Sequence, residues 1–253
     1  MEFIHNYNIT IFGDSVTKGL YLENNKIMKI SPSAVDRISA CLGLNIDNKS
    51  VFGQTLKRVC SKGIIEEYLR TLDPMQKNMV VLALGGNDSD YNWGEAQKTP
   101  LESHNSKTTL IEFRILLNDT ISKLQEKGVR VVVCSLFPID SKRYFENVLS
   151  KKYEADKILQ FLKGDVTNIS RHQEMFNIEC LKTALRRQCE FLDFRTQFLN
   201  QEDFLQYICV DGIHPNEQGQ QFMSDVVTNK IYEYQKCGLL VPTLRYNCIG
   251  RIQ

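Results

Sequence analysis

The sequence predicts a three-layer α/β fold with parallel strands. Two observations carry the prediction: short apolar runs rich in β-branched residues recur along the chain, and stretches with the apolar spacing of helices separate them. Strands separated by helices pair in parallel through right-handed crossovers, and the helices then cover both faces of the sheet. NITIFG (residues 8–13) opens the series as a buried strand. In SAVDRISACLGL (33–44), Val35, Ile38 and Leu42 share a helical face, with Ser33 placed to cap the first turn and Gly43 near the end. LNIDNKSV supplies a short strand before Gly53, and LKRVCSKGIIEEYLRTL reads as helical with a break at Gly63. MVVLALGGND (79–88) is a strand ending in a glycine pair, and TLIEFRILLNDTISKLQEKG (109–128) has the best helical pattern in the chain, closed by Gly128. VRVVVCSLFP follows as a strand stopped by Pro138, CEFLDF as a shorter strand, and EQGQQFMSDVVTNKIYEYQKCG as the last helix.

Two stretches interrupt the alternation. Residues 89–107 form a polar loop with Trp93, the one tryptophan, and residues 140–180 form an insertion with helical patches and little strand character. In an open parallel sheet, ligands sit outside the carboxyl ends of the strands. Each stretch leaves such an end, so both are expected to wall a pocket. The 253 residues read as one domain, 1–253, carrying that insertion.

The 31 basic and 30 acidic residues leave a formal net charge of +1. Such a balance concentrates no positive field for a nucleic acid or an anionic membrane. No stretch is apolar for long enough to span a bilayer, and the start, MEFIHNYNITIFGD, has neither the basic beginning nor the apolar run of a secretory signal. Eight cysteines are scattered singly without a CxxC pair, so neither a zinc site nor a disulfide framework is expected. With the leaderless start they point to a reducing, cytoplasmic setting. Cys134, inside VRVVVCSLF, is expected to be a small buried hydrophobe. The tail LLVPTLRYNCIGRIQ is expected to pack on the body or on a neighbouring subunit, and no oligomeric state is assigned.

Three segments carry residue types suited to chemistry. In ITIFGDSVTKG (9–19) the apolar run breaks at Gly13, and Ser15 sits at the turn into the next element. Two roles are open to it: a cap for the following helix, whose first N–H groups lack partners, or a nucleophile held at a strand end. DGIHPNEQGQ (211–220) places Asp211 three residues before His214, with Pro215 and Asn216 at the entry to a helix. A histidine acting as a base needs one ring nitrogen fixed and the other free, and an aspartate in the same loop is able to accept from Nδ1–H. The alternative is a polar turn before a helix. GGND (85–88) ends a strand with two glycines that allow close backbone approach, and Asn87 offers a neutral N–H donor for a developing oxyanion; the alternative is a plain turn. Gly53 in FGQT (52–55) offers another backbone N–H to the same oxyanion; the alternative is again a plain turn. The other histidines are less apt: His5 lies near the terminus, His104 in the polar loop, and His172 beside Arg171 in the insertion. Arg171 itself is suited to a substrate carboxylate.

With GDS at 13–15, then Gly53, GGND and DGIHP, the sequence resembles the SGNH (GDSL-type) hydrolases, a family named for four such blocks. The blocks stand in the family's order and span residues 13–215. Val16 occupies the leucine position of GDSL, a packing site, and the insertion and the tail after Gly238 fall outside the blocks. The resemblance implies a flavodoxin-like α/β/α sandwich with a mainly parallel sheet, which agrees with the alternation. It also implies a serine esterase working through an acyl-serine, with Ser15 as nucleophile, His214 as base and Asp211 as its partner. The oxyanion hole would comprise the Ser15 and Gly53 N–H groups and Asn87, and no metal or organic cofactor is implied. Tyr91, Asn92 and Trp93 are suited to stacking on a sugar ring and bonding its hydroxyls. They favour a small-molecule, short-acyl ester such as an O-acetylated carbohydrate; the alternative for Trp93 is an anchor for its loop. Lysophospholipase, thioesterase and acyltransferase activity share the same intermediate. A glycan- or phosphate-binding module is the reading without catalysis. A long-chain lipid is less favoured, because no amphipathic membrane-binding segment is evident.

Overall fold

In the computed structural model, which describes residues 4–24 and 26–236, β1 (Tyr7–Gly13) runs beside β4 (Ile46–Asn48) and β5 (Lys77–Ala83). β6 (Arg130–Cys134) and β7 (Glu190–Leu192) complete the sheet in the order β4-β1-β5-β6-β7, all parallel. Strands covered on both faces lose water at nearly every position, which is why they read as continuous apolar runs rather than as alternation. Helices lie on both sides, giving the three-layer α/β/α arrangement the sequence predicts.

Several helices begin or end on local chemistry. α1 (Ser15–Lys18) follows β1 directly. α2 (Ala34–Leu42) starts on a capping box between Ser33 and Asp36 and ends on Gly43 in the left-handed conformation. α3 (Leu56–Ser61) and α4 (Ile64–Thr71) are split at Gly63, as its position predicts. α5 (Leu110–Glu126) is capped by Thr109, and α6 (Asn168–Arg186) and α7 (Glu217–Lys236) are the long helices of the second half. On one face of the sheet, Phe12, Leu82 and Val133 pack against α3–α6 through Val59, Ile65, Phe113 and Phe176. On the other, smaller clusters join Ile9, Met79 and Val132 to α2, and Cys134 to Ala34 and Met223.

Four details depart from the sequence reading. β6 ends at Cys134, well before Pro138; Ser135 instead ties the strand end to the next one, its N–H donating to Leu192 O and its hydroxyl accepting from the Phe194 and Arg195 N–H groups. The stretch 140–180 is not one insertion, because α6 begins at Asn168 and packs on α5, β6 and β7 as the ordinary crossover helix. At 19 residues it exceeds the 17 of α5. Its buried face includes Gln173 and Glu179, the latter paired with Arg114 and Arg186, and these polar residues break the apolar period. The run before it consists of short helical turns between Ser141 and Phe161. Third, LYLE and KIMK form an antiparallel hairpin, β2 (Leu20–Glu23) and β3 (Lys26–Lys29), that the sequence reading missed. Finally, the 89–107 loop contains a helical turn at Trp93–Ala96 and is closed by a bridge between Tyr91 and Ser106.

Among the described residues no helix is long and apolar enough to cross a membrane. Cys134, Cys180, Cys189 and Cys209 are buried free thiols, and burial pushes Cys134 up to about 12. The end of the last predicted helix at Cys237 and Gly238, and the tail after it, lie outside the described residues.

Candidate active site

The turn after β1 gives the capping role to another residue. Asp14, not Ser15, is the cap: its Oδ1 accepts from the Val16 N–H at 3.0 Å, and α1 begins at Ser15 itself. A side chain at Gly13 would overlap the Thr17 hydroxyl and crowd Ser50 Oγ, so the chain passes only as glycine. The Ser15 hydroxyl is left for another partner, His214 Nε2, at 2.8 Å. His214 Nδ1 lies 2.7 Å from Asp211 Oδ2, and all three residues are buried.

Asp211 is held from three sides. Its Oδ1 accepts from the Ile213 and His214 N–H groups at 3.0 and 3.1 Å, closing the loop on itself. Its Oδ2 accepts, besides His214, the Leu22 N–H of the β2–β3 hairpin at 2.8 Å. Burial pushes the Asp211 carboxyl up, but hydrogen bonding and charge from His214, with the Leu22 and Ile213 donors, bring it below its ordinary value. Gly212 (φ +77°) lets this loop touch the start of the insertion: Asp140 N–H donates to Gly212 O at 2.7 Å, and a Cβ there would overlap Asp140 O and Tyr144 N.

Asn87 sits on a helical turn, Gly86–Ser89, at the carboxyl end of β5. Its amide donates to Asp14 Oδ2 at 3.1 Å, so one carboxylate bridges the start of α1 and the candidate oxyanion donor. Burial pushes the Asp14 carboxyl up to about 6, against the Val16 hydrogen bond, the nearby His214 charge and the Asn87 amide. Asp88, fully buried, accepts the Leu56 N–H at 2.8 Å and the Thr108 hydroxyl at 2.6 Å, tying the GGND turn to the start of α3. Gly53 (φ +69°) lies in the turn leading to α3. Its neighbour Phe52 stacks on the His214 ring with centroids 6.1 Å apart, although Gly53 is not in the cavity wall.

Ser15, Asn87 and His214 open onto a cavity of about 110 Å³ whose other walls are mostly apolar, with Leu136, Phe137, Ile169 and Ile213 among them. Both interrupting stretches contribute, through Asp90, Tyr91 and Trp93 on one side and Tyr144 and Ile169 on the other. Trp93 is only 4% exposed and its Nε1–H points to Asp90 Oδ1 (2.8 Å) and the Tyr144 hydroxyl (3.2 Å). It anchors the loop to the insertion. Tyr91 is stacked on His172 with centroids 4.8 Å apart. Two proposed contacts are not brought to the cavity: Asn92 is exposed ahead of the Trp93–Ala96 turn, and Arg171 is exposed and bonded to Asn168 Oδ1. His5 is exposed, and His104 bonds to Thr99.

Sequence reading missed Asp14 as a bridge, Asp90 as a wall residue and the Leu22 N–H as a support. Asp14 had a signal, an Asp at a strand-to-helix junction; Leu22 had none, because a backbone donor has no residue type. Among the described residues no group of three or more His, Cys, Asp and Glu side chains is placed to hold a metal ion. A hydroxyl, an imidazole and a buried carboxylate in line are suited to nucleophilic attack on an acyl carbon.

Residues 11–222 match the GDSL-like Lipase/Acylhydrolase family. No curated protein matches the chain in sequence. Among solved structures, the chain is similar to a catalytic mutant of the acetylxylan esterase Axe2 from Geobacillus stearothermophilus, with TM-score 0.61 and 14% identity over 91% of this chain and 96% of that one. It is also similar to a GDSL-like lipase from Parabacteroides merdae, with TM-score 0.59 and 17% identity over 90% and 96%. A lipolytic G-D-S-L protein from Veillonella parvula gives TM-score 0.58 and 18% identity over 88% and 97%.

Proposed function

The chain belongs to the GDSL-like lipase/acylhydrolase family, and from that premise we propose that it hydrolyses carboxylic esters through an acyl-serine on Ser15. The observation that carries this reading is the buried line from Ser15 Oγ through His214 to Asp211, at 2.8 and 2.7 Å, in one cavity with Asn87. His214 Nε2 takes the Ser15 proton as Oγ attacks the ester carbonyl. Asp211 keeps Nδ1 protonated and stabilises the imidazolium that forms. Charge developing on the carbonyl oxygen is met by the Asn87 amide and the Ser15 N–H, both at the cavity wall, donors that need no reorganisation during the step. His214 then protonates the leaving alcohol, and a water activated by the same nitrogen releases the acid.

The mostly apolar cavity wall favours an apolar acyl group over a charged one. Trp93 is held as an anchor by Asp90 and Tyr144, and Tyr91 stacks on His172, so the aromatic rings of the loop already have partners within the protein and the support for a carbohydrate alcohol is weaker than the sequence suggests. A serine-reactive alkyl phosphonate tests the mechanism. One covalent adduct on Ser15 is expected, with loss of p-nitrophenyl acetate turnover in proportion. Full turnover by a folded Ser15→Ala protein would overturn the reading.

A further inference from the structure

Most polar groups in the wall of the catalytic cavity already have partners. The Thr17 and Ser89 hydroxyls bond within the protein, and Asp90 is held by Trp93 and Lys107. Asn87 gives one amide hydrogen to Asp14 and keeps the other for the oxyanion. Two further donors, which the proposed reaction does not use, remain in the same wall: Ser135 and Gln173, each only 6% exposed. Ser135 Oγ accepts the Phe194 N–H at 2.7 Å and the Arg195 N–H at 2.9 Å, which takes up both lone pairs and leaves the hydroxyl proton to give. Gln173 is held at both ends of its amide. Arg195 Nη1 donates to its Oε1 at 3.0 Å, and because a guanidinium only donates, the amide cannot be turned round. Its Nε2 gives one hydrogen to Phe137 O at 3.2 Å and has a second to give. Arg195 thus fixes both donors, and its own charge is met by Glu174 at 2.6 Å. The result is a pair of donors without net charge at the carboxyl end of β6.

We propose that Ser135 and Gln173 are specificity-determining residues that bind a neutral oxygen acceptor on the acyl group of the substrate, an assignment that rests on the acyl-serine reading of Ser15. Ser15, Asn87 and Ser135 lie just past the carboxyl ends of the adjacent strands β1, β5 and β6. The donor pair therefore lies beyond Asn87, two strand spacings or about 10 Å from the end of β1. His214 stacks on Phe52, which follows β4 on the other flank of β1. The leaving alcohol takes its proton from His214 and belongs to that flank, so the acyl group is directed past Asn87 toward β6. Side chains reaching in from both strands shorten the gap to about 5 Å, or about four bonds of extended chain from the carbonyl carbon. An ether or keto oxygen there has lone pairs for both donors, whereas a methylene leaves them unpaired. The substrate class is then an ester of a short alkoxy or oxo acid.

A pair of isosteric esters tests this on the full protein. p-Nitrophenyl 4-methoxybutanoate and p-nitrophenyl hexanoate differ by one oxygen in place of a methylene, and kcat/KM for each is divided by its rate with hydroxide. A wall without donors favours hexanoate, because the ether oxygen gives up water for no partner. With the two donors the order reverses, and the ether is expected to lead by about threefold or more. Gln173→Glu keeps an acceptor for Arg195 but replaces the donor, and Gln173→Met removes the amide; each is expected to return the lead to hexanoate, with a thermal melt to check the fold. A wild type that shows no ether lead, or a ratio unchanged in both folded variants, would overturn the proposal. An oxygen preference confined to the alcohol, read with 2-methoxyethyl and butyl acetates, would overturn it too. Binding is read apart from turnover by NMR titration of Ser15→Ala with the two methyl esters. Tighter binding of methyl 4-methoxybutanoate supports the donor pair even where no ester is turned over. Hexanoate hydrolysis with no ether preference removes the donor pair and leaves the esterase reading standing.

Discussion

The two sides of the catalytic cavity are held together by different physics. On the chemical side, Ser15, Asn87, Asp211 and His214 are fixed by hydrogen bonds at 2.7 to 3.1 Å, two of them to Asp211 from backbone N–H groups within three residues. On the opposite side, Tyr91, Trp93, Tyr144 and Ile169 are held mainly by packing among the 89–107 loop, the turns after Asp140 and α6, with the Trp93 N–H bonded to Asp90 and Tyr144. Directional bonds set a geometry to tenths of an ångström. Apolar packing sets a volume and tolerates several ways of filling it. Chemistry and substrate choice are thereby separable, and substitutions on the two sides should be distinguishable by what they damage.

Ser15→Ala marks the extreme of the chemical side, with turnover lost and folding retained. The strongest challenge to the comparison comes from the packed side. Trp93→Ala removes a buried ring and the N–H that donates to Asp90 and Tyr144, and is expected to cost about 3–5 kcal/mol of stability in a denaturant titration. Its kcat on a small acetate ester should change far less; an equally deep fall in kcat with stability intact would erase the distinction between the two sides. Asn87→Ala is the mirror case. Loss of one oxyanion donor is expected to lower kcat by about 100- to 1000-fold with little change in the unfolding midpoint, as single-substrate kinetics beside a thermal melt would reveal.

The smallest and most specific effect concerns Asp14. Its folded pKa of about 6 lies above the ordinary 3.8, so the folded state binds the proton more tightly than the unfolded one. Stability from this group is therefore greatest below pH 4, falls as pH rises from about 4 to 6, and is flat above that. Asp14→Asn has no charge to bury. It is expected to stabilise the protein at pH 7 to 8, with the advantage shrinking toward pH 4. The same substitution turns an acceptor toward Asn87 into a donor, so the Asn87 amide must flip and present oxygen to the developing oxyanion. A variant that is more stable at neutral pH and at least about tenfold slower would sharpen the comparison. A variant as active as the wild type would show that Asn87 is not oriented by Asp14.

The candidate site was legible where a residue's role depends on its immediate neighbours. GDS, GGND and DGIHP each sit at a strand end or a helix entry, and the turns that expose them use glycine, aspartate and proline for reasons a few residues can express. The Gly63 break and the Ser33 cap were legible on the same grounds. The start of α6 was not, because Glu179 is buried by Arg114 and Arg186, one from another helix, and nothing local announces that partnership. Asn92 and Arg171 have the right chemistry for a ligand and the wrong direction, which depends on how their elements dock.

Sequence alone determined the parallel α/β sandwich and the four residue types of the site, since apolar period and turn chemistry are local properties of the chain. Tertiary structure decided that Asp14 rather than Ser15 caps α1, and that a hairpin amide supports Asp211. It also decided that Trp93 anchors a loop, and that an apolar cavity lies between the sheet and two helices. Each of these depends on which groups meet across the sheet, and such meetings follow from filling a common volume, which no short stretch encodes.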